Sequence, residues 1–184
     1  MLIDNKKENK SLNITTVWEF IDKFSGNDSG QKGYFDIVTG YFMIQTLAKL
    51  HDSISADNEF RIISSEIVKD DYTPDMNVDL LSDNLDIDRL GAINEDAPKA
   101  IAFLERPTVQ MRAEVPDFCH AKAYLFTNSN SVNQSYYITG SSNLTPSGLG
   151  LKKVPNVELN IAKRLGAEEV EFQELKDWYD DIWN

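Results

Sequence analysis

The chain has 184 residues, 41% hydrophobic and 26% charged, which is the size and balance of one globular domain able to bury a core. No apolar run approaches the length of a membrane-spanning helix, the opening MLIDNKKENK lacks the apolar stretch of a signal peptide, and a single cysteine, Cys119, excludes an intrachain disulfide and points to a cytoplasmic protein. The net charge of −12 argues against a simple nucleic-acid binder, because phosphates would be repelled by the long-range field.

Residues 1–12 read as a flexible polar arm. Thr16 and Glu19 have capping-box spacing, with Trp18, Ile21 and Phe24 on one helical face and a stop at Gly26. Residues 27–33, NDSGQKG, read as a loop. Tyr34 to Thr39 is a strand broken by Gly40. Helical spacing follows from Met43 to about Ser55 through Ile44, Leu47 and Leu50, and Glu59 to Ser64 is a second strand. This β-α-β order favours a parallel pair with a right-handed crossover.

Residues 69–94 are acidic and irregular and read as an insertion, with one short helix near Val78–Leu85. A helix is expected from Asp96 as N-cap to Arg106, with Pro98 in its first turn. Val109, Met111, Ala113 and Val115 alternate with polar residues as a strand does. Phe118–Phe126 and Ser135–Thr139 are two more strands joined by a polar loop, and Val157–Ala162 is another. Ala167–Trp183 reads as an acidic amphipathic helix burying Val170, Phe172, Leu175, Trp178 and Ile182. The pattern predicts one α/β domain over residues 13–184: a mixed β-sheet with helices on both faces.

Charge is unevenly spread. Residues 70–96 hold nine acids against Arg89, a net of −8, and residues 167–184 hold seven against Lys176, a net of −6. Residues 97–166 carry eight cations against four acids, a net of +4. That only basic stretch holds the candidate chemistry. His120 and Lys122 are two apart on an expected strand, so both side chains leave one face, and the small Cys119, Ala121 and Ala123 suit a packed opposite face. An ammonium beside a neutral imidazole can neutralise phosphate oxygens while the imidazole attacks phosphorus. A chance His-x-Lys occurs in roughly one chain in five at average composition, so the pair means little alone.

Gly140-Ser141-Ser142-Asn143 follows a short strand. Its glycine permits close backbone approach to a ligand, and Ser141 and Asn143 could donate to phosphate oxygens. Taken alone, GSSN is an ordinary turn. Glu158, in PNVELNI, is a carboxylate among apolar neighbours that needs a partner. An imidazole nitrogen of His120 is one, and that bond would fix the tautomer. A solvated strand-edge glutamate is the plainer alternative. Thr39-Gly40-Tyr41 is the fourth segment of interest. One cysteine and two distant histidines make no transition-metal set, and no cofactor is expected. His51, in LAKLHDSI, reads as a helix-surface residue.

The ordered set His120, Lys122, Gly140, Ser141, Asn143 and Glu158 resembles the HKD signature of the phospholipase D superfamily. The segments FDIVTGYF, EFRIIS and GSSNLTPSGL-to-NVELNI are similar to PLD-like domains at the N-terminus of some bacterial superfamily-two helicases and to metal-independent restriction endonucleases. The likeness covers most of residues 33–165. Thr127 stands where the signature has an Asp, a departure shared by nuclease-branch members.

The resemblance implies a metal-independent phosphodiesterase, most specifically a DNA endonuclease working through phosphohistidine. His120 would be nucleophile or general acid. Lys122, Ser141 and Asn143 would bind phosphate, and Glu158 would orient His120. With one motif per chain, it implies a homodimer with a shared active site, and the closing DWYDDIWN fits one domain cut from a longer helicase-bearing parent. The rival expectation is a non-catalytic DNA-binding or dimerisation module of a helicase or restriction system. Nothing resembles an interfacial membrane anchor.

Overall fold

The Thr16 hydroxyl accepts the Glu19 N–H at 3.1 Å, and the Glu19 carboxylate accepts the Thr16 N–H at 3.0 Å. This reciprocal cap starts α1 (Val17–Ser25), and Gly26 ends it by donating to the Asp22 carbonyl. Trp18 and Ile21 are buried and Phe24 packs half-buried beside them, as the helical spacing predicts. The computed structural model describes residues 1–10, 12–65, 87–112 and 120–184, except the side chains at 87–94 and 132. The short helix expected near Val78–Leu85 and the strand residues expected at 113–115 and 118–119 lie outside the described residues.

The β-α-β unit forms from β2 (Gly33–Thr39), α2 (Ile44–Ser53) and β3 (Glu59–Ser64). β2 and β3 run parallel, in register from Tyr34↔Glu59 to Thr39↔Ser64. After α3 (Ile87–Leu104), β4 (Val109–Arg112) adds parallel to β3. β5 (Ala123–Asn128), β6 (Ser135–Gly140) and β7 (Asn160–Leu165) continue antiparallel on the other side of β2. β1 (Leu2–Ile3) pairs antiparallel with β7. The seven-stranded mixed sheet has the order β1-β7-β6-β5-β2-β3-β4, and α4 (Val170–Trp183) closes the fold. The expected α/β class is therefore the observed one.

Period-two alternation divides the core into two layers. Phe35, Ile37, Phe60, Ile62, Tyr124, Phe126, Tyr136 and Ile138 face the layer that contains Phe20, Leu47, Leu50 and Phe103 of α1, α2 and α3. Phe35 stacks on Phe60 with centroids 4.6 Å apart, and Phe103 meets Phe60 edge-on at 5.0 Å. Val38, Ile63, Ala123, Leu125 and Tyr137 face the opposite layer under Phe172, Tyr179 and Trp183 of α4. Each such aromatic contributes about 2–3 kcal/mol by leaving water.

That second layer holds ions. Asp36 is 1% exposed. It accepts from Arg61 Nε at 2.6 Å and lies 3.1 Å from Lys176 Nζ. Arg61 also reaches Asp180 at 2.7 Å, and its guanidinium lies 4.8 Å over the Tyr179 ring. A buried carboxylate requires such partners, and they select which face of α4 docks. The stripe expected for this helix is corrected accordingly. Val170 is 72% exposed and Trp178 lies at the surface, while Tyr179 and Trp183 turn inward with Phe172. Leu175 and Ile182 pack half-buried as expected.

Other boundaries differ from expectation. The opening arm carries a strand: Leu2 and Ile3 pair with Ile161 and Asn160, and Asn5 is buried, with Nδ2 on the Gly148 carbonyl and Oδ1 on the Val17 N–H. Polar composition hid this because Asn5 satisfies backbone groups inside the fold. α3 begins at Ile87 rather than Asp96, so Pro98 lies within the helix. Pro98 is exposed, and its missing N–H leaves one helical carbonyl without its usual donor. β5 starts at Ala123 and β7 at Asn160, each three to five residues later than the hydrophobic runs suggest. His51 lies half-exposed on α2, as expected of a helix-surface residue, and Arg106 Nη2 contacts its Nδ1 and donates to its carbonyl, both at 2.9 Å. No helix among the described residues is long and apolar enough to cross a membrane.

Candidate active site

The C-terminal ends of β2, β3 and β6 and the N-terminal ends of β5 and β7 meet at one rim of the sheet. The registers Val38↔Ala123, Ala123↔Thr139 and Gly140↔Asn160 set this convergence. The carboxyl ends of parallel strands are where open α/β sheets place ligands. Three of the four segments singled out in the sequence, 39–41, 120–122 and 140–143, emerge here, and the fourth, around Glu158, reaches the rim from β7.

Lys122 precedes β5. Its carbonyl still accepts from the Gly140 N–H at 3.2 Å and from the Thr139 hydroxyl at 3.2 Å. The side chain is buried, and Nζ turns back to donate to the His120 carbonyl at 2.7 Å. His120 itself is exposed on the rim. The pair therefore sits on the lead-in to the strand and not within it. Ala123 is buried and Ala121 half-buried against the α4 layer, the packing expected of small residues there.

Asn143 is the hub of the rim. Its Oδ1 accepts the Gly40 N–H at 3.0 Å and lies 3.4 Å from the Thr39 hydroxyl. The Thr39 hydroxyl, fully buried, donates to the Tyr41 carbonyl at 2.7 Å and accepts the Leu144 N–H at 2.9 Å. Met43 N–H then reaches the Leu144 carbonyl at 3.1 Å. These bonds stitch the loop after β2 to the loop after β6. A Cβ at Gly40 would stand 3.0 Å from Asn143 Oδ1 and 3.7 Å from Lys122 Nζ, so the absence of a side chain lets the three approach one another.

The structure pairs the two remaining candidates with each other. The Ser141 hydroxyl donates to the Glu158 carboxylate, accepts the Leu159 N–H at 2.9 Å, and its backbone N–H donates to the Leu159 carbonyl at 3.1 Å. Ser141 is exposed and Glu158 half-exposed. Burial, and then the nearby Glu158 carboxylate, hold the Tyr124 phenol above its ordinary pKa, so it stays a donor to the Ser142 carbonyl at 2.8 Å.

One support, Asn160, is not singled out by the sequence, and the role of Thr39 within its segment is not specified there. Asn160, 1% exposed, accepts the Ser142 N–H at 3.3 Å and donates to the Ser142 hydroxyl at 2.9 Å. Thr39 carried a signal, as the last residue of a strand before glycine, but its partner lies 104 residues away. Chemically, the rim offers an ammonium and an amide around Gly40 and an exposed imidazole two residues before that ammonium, groups suited to an anionic oxygen. No protein-family model matches the chain. No curated protein matches it by sequence either.

Proposed function

We propose that this chain is a metal-independent phosphodiesterase, in its most specific form a cytoplasmic DNA endonuclease of the phospholipase D type. The observation that carries the reading is the meeting of Lys122, Asn143 and the Gly40 backbone, with Lys122 Nζ on the carbonyl of the exposed His120. In this reading a neutral His120 imidazole nitrogen attacks phosphorus. A P–N bond forms, the P–O bond to the leaving oxygen breaks, and the partner's His120, as imidazolium, gives that oxygen its proton. The partner's imidazole then takes a proton from water, whose oxygen attacks phosphorus and releases His120. Lys122 and Asn143 offset charge on the non-bridging oxygens. Ser141 contacts the phosphate or acts by holding Glu158, and Glu158 orients His120.

The second reading is a DNA-binding or dimerisation module of a helicase or restriction system. The net charge of −12 favours it. One experiment separates the two. Single- and double-stranded DNA are incubated with the protein in EDTA, beside His120→Ala. The enzyme reading expects cleavage lost in the variant. DNA retention without cleavage supports the module.

A further inference from the structure

We infer that the uncovered face of β7 and β1 is a self-association surface that seats a second copy of this chain. Residues 157–163 alternate: Asn160 and Ala162 are buried, while Val157, Leu159, Ile161 and Lys163 face out. Val157, Leu159 and Ile161 are 69%, 64% and 53% exposed, and Leu2, paired with Ile161, is 56% exposed. Val154, 76% exposed, extends the strip. The strand register explains why it is bare. Val38, Ala123, Thr139, Ile161 and Leu2 form one row across the sheet, and α4 packs over Val38 and Ala123 but leaves the Ile161–Leu2 end open. Contiguous exposed apolar residues of this kind mark a protein interface.

Charge identifies the occupant. Lys152 and Lys153 stand exposed where the chain enters the strip. At the other end Lys163 is paired with Glu171, and Glu168, Glu169 and Glu174 are exposed around the start of α4. A two-fold axis near Leu159 lays one strip antiparallel on another, so that each lysine pair meets the partner's glutamates. Such a surface is complementary to itself, as an isologous contact requires, and its apolar centre does not suit a nucleic acid. The strip is also continuous with the rim, because Leu159 holds Ser141 through two hydrogen bonds. The same axis would bring two rims side by side. This rests on the reading above, in which one histidine per chain leaves the site half-built.

Sedimentation velocity on the full chain tests the surface, with the variants Leu159→Lys/Ile161→Lys, Lys152→Glu/Lys153→Glu and Glu168→Lys/Glu169→Lys, and the charge swaps combined. The altered side chains are exposed, and an unchanged melting temperature confirms folding. The inference expects a wild-type dimer, a monomeric Leu159→Lys/Ile161→Lys protein, weakened dimers for each charge swap alone, and recovery when both swaps share one chain. A wild-type monomer, a Leu159→Lys/Ile161→Lys protein that still dimerises, or charge swaps whose effects simply add when combined would overturn it. Cleavage in EDTA, followed in parallel, separates the two claims. A dimer with no cleavage keeps the surface and sinks the enzyme, whereas a cleaving monomer sinks the surface and the shared site and leaves a phosphodiesterase complete within one chain.

Discussion

The Gly40 backbone N–H donates to Asn143 Oδ1 at 3.0 Å. A backbone N–H can only donate, so this bond assigns the Asn143 carboxamide with its oxygen toward Gly40 and its NH2 turned away. Asn143 is thereby set as a donor, the polarity a phosphate oxygen requires. Asn143→Asp keeps the acceptor for Gly40 but replaces the donor with a second carboxylate oxygen. Sulfate or phosphate should raise the melting temperature of the wild type, less so in Lys122→Ala, and not at all in Asn143→Asp. Gly40→Ala should also weaken the effect, because its Cβ would stand 3.0 Å from Asn143 Oδ1 and displace that side chain. Equal stabilisation of all four proteins would remove the anion site.

Glu158 accepts from the Ser141 hydroxyl, and its expected action on His120 is open to test. If it acts on His120 charge, with Ser141 holding it in place, Glu158→Gln should lower turnover about 100-fold with little change in substrate affinity. Ser141→Ala should give a smaller loss of the same kind. Steady-state kinetics on an aryl phosphodiester distinguishes kcat from KM. An unchanged rate would leave Glu158 as a strand-entry residue that accepts from Ser141.

The docking of α4 should depend on acid. Asp180 is pushed up by partial burial, but hydrogen bonds from Lys176 and Arg61 outweigh this and hold its carboxyl below the ordinary value. A carboxyl depressed in the folded state contributes stability that is fully present above its unfolded pKa and lost as pH falls through its folded pKa. Stability should therefore decline below about pH 4, and Asp180→Asn should flatten that decline. Arg61→Ala strips Asp36 of its 2.6 Å partner and should cost about 3 kcal/mol in urea unfolding. A loss below about 1 kcal/mol would mean that Lys176 alone satisfies Asp36.

Local chemistry was the legible part of the fold. The Thr16–Glu19 cap, the Glu59–Ser64 strand and the parallel β-α-β unit follow from spacing and turn residues, which act within a few positions. The face of α4 was not legible, because it is chosen by Asp36 and Arg61, more than a hundred residues earlier. The same distinction holds at the rim. His120, Lys122 and Asn143 were singled out by type and order, and Lys122 and Asn143 do flank Gly40. The bonds that fix them, from Thr39 to Leu144 and from Asn160 to Ser142, are long-range and depend on strand register.

If two chains share one site, mixing wild type with His120→Ala should show it. Co-refolded at varied ratios, mixed dimers lack one of the two histidines, so activity should fall as the square of the wild-type fraction. A linear fall would place a complete site within one chain.

The central claim is that His120 forms a covalent bond to phosphorus without a metal. The most direct measurement is to trap it. An end-labelled oligonucleotide is mixed with the protein in EDTA, quenched by denaturant and resolved on a denaturing gel. The account predicts a protein-linked label, labile in acid as a P–N bond is, absent from His120→Ala and abolished with cleavage in that variant. Cleavage that requires magnesium, or a label and product that persist in His120→Ala, would contradict it.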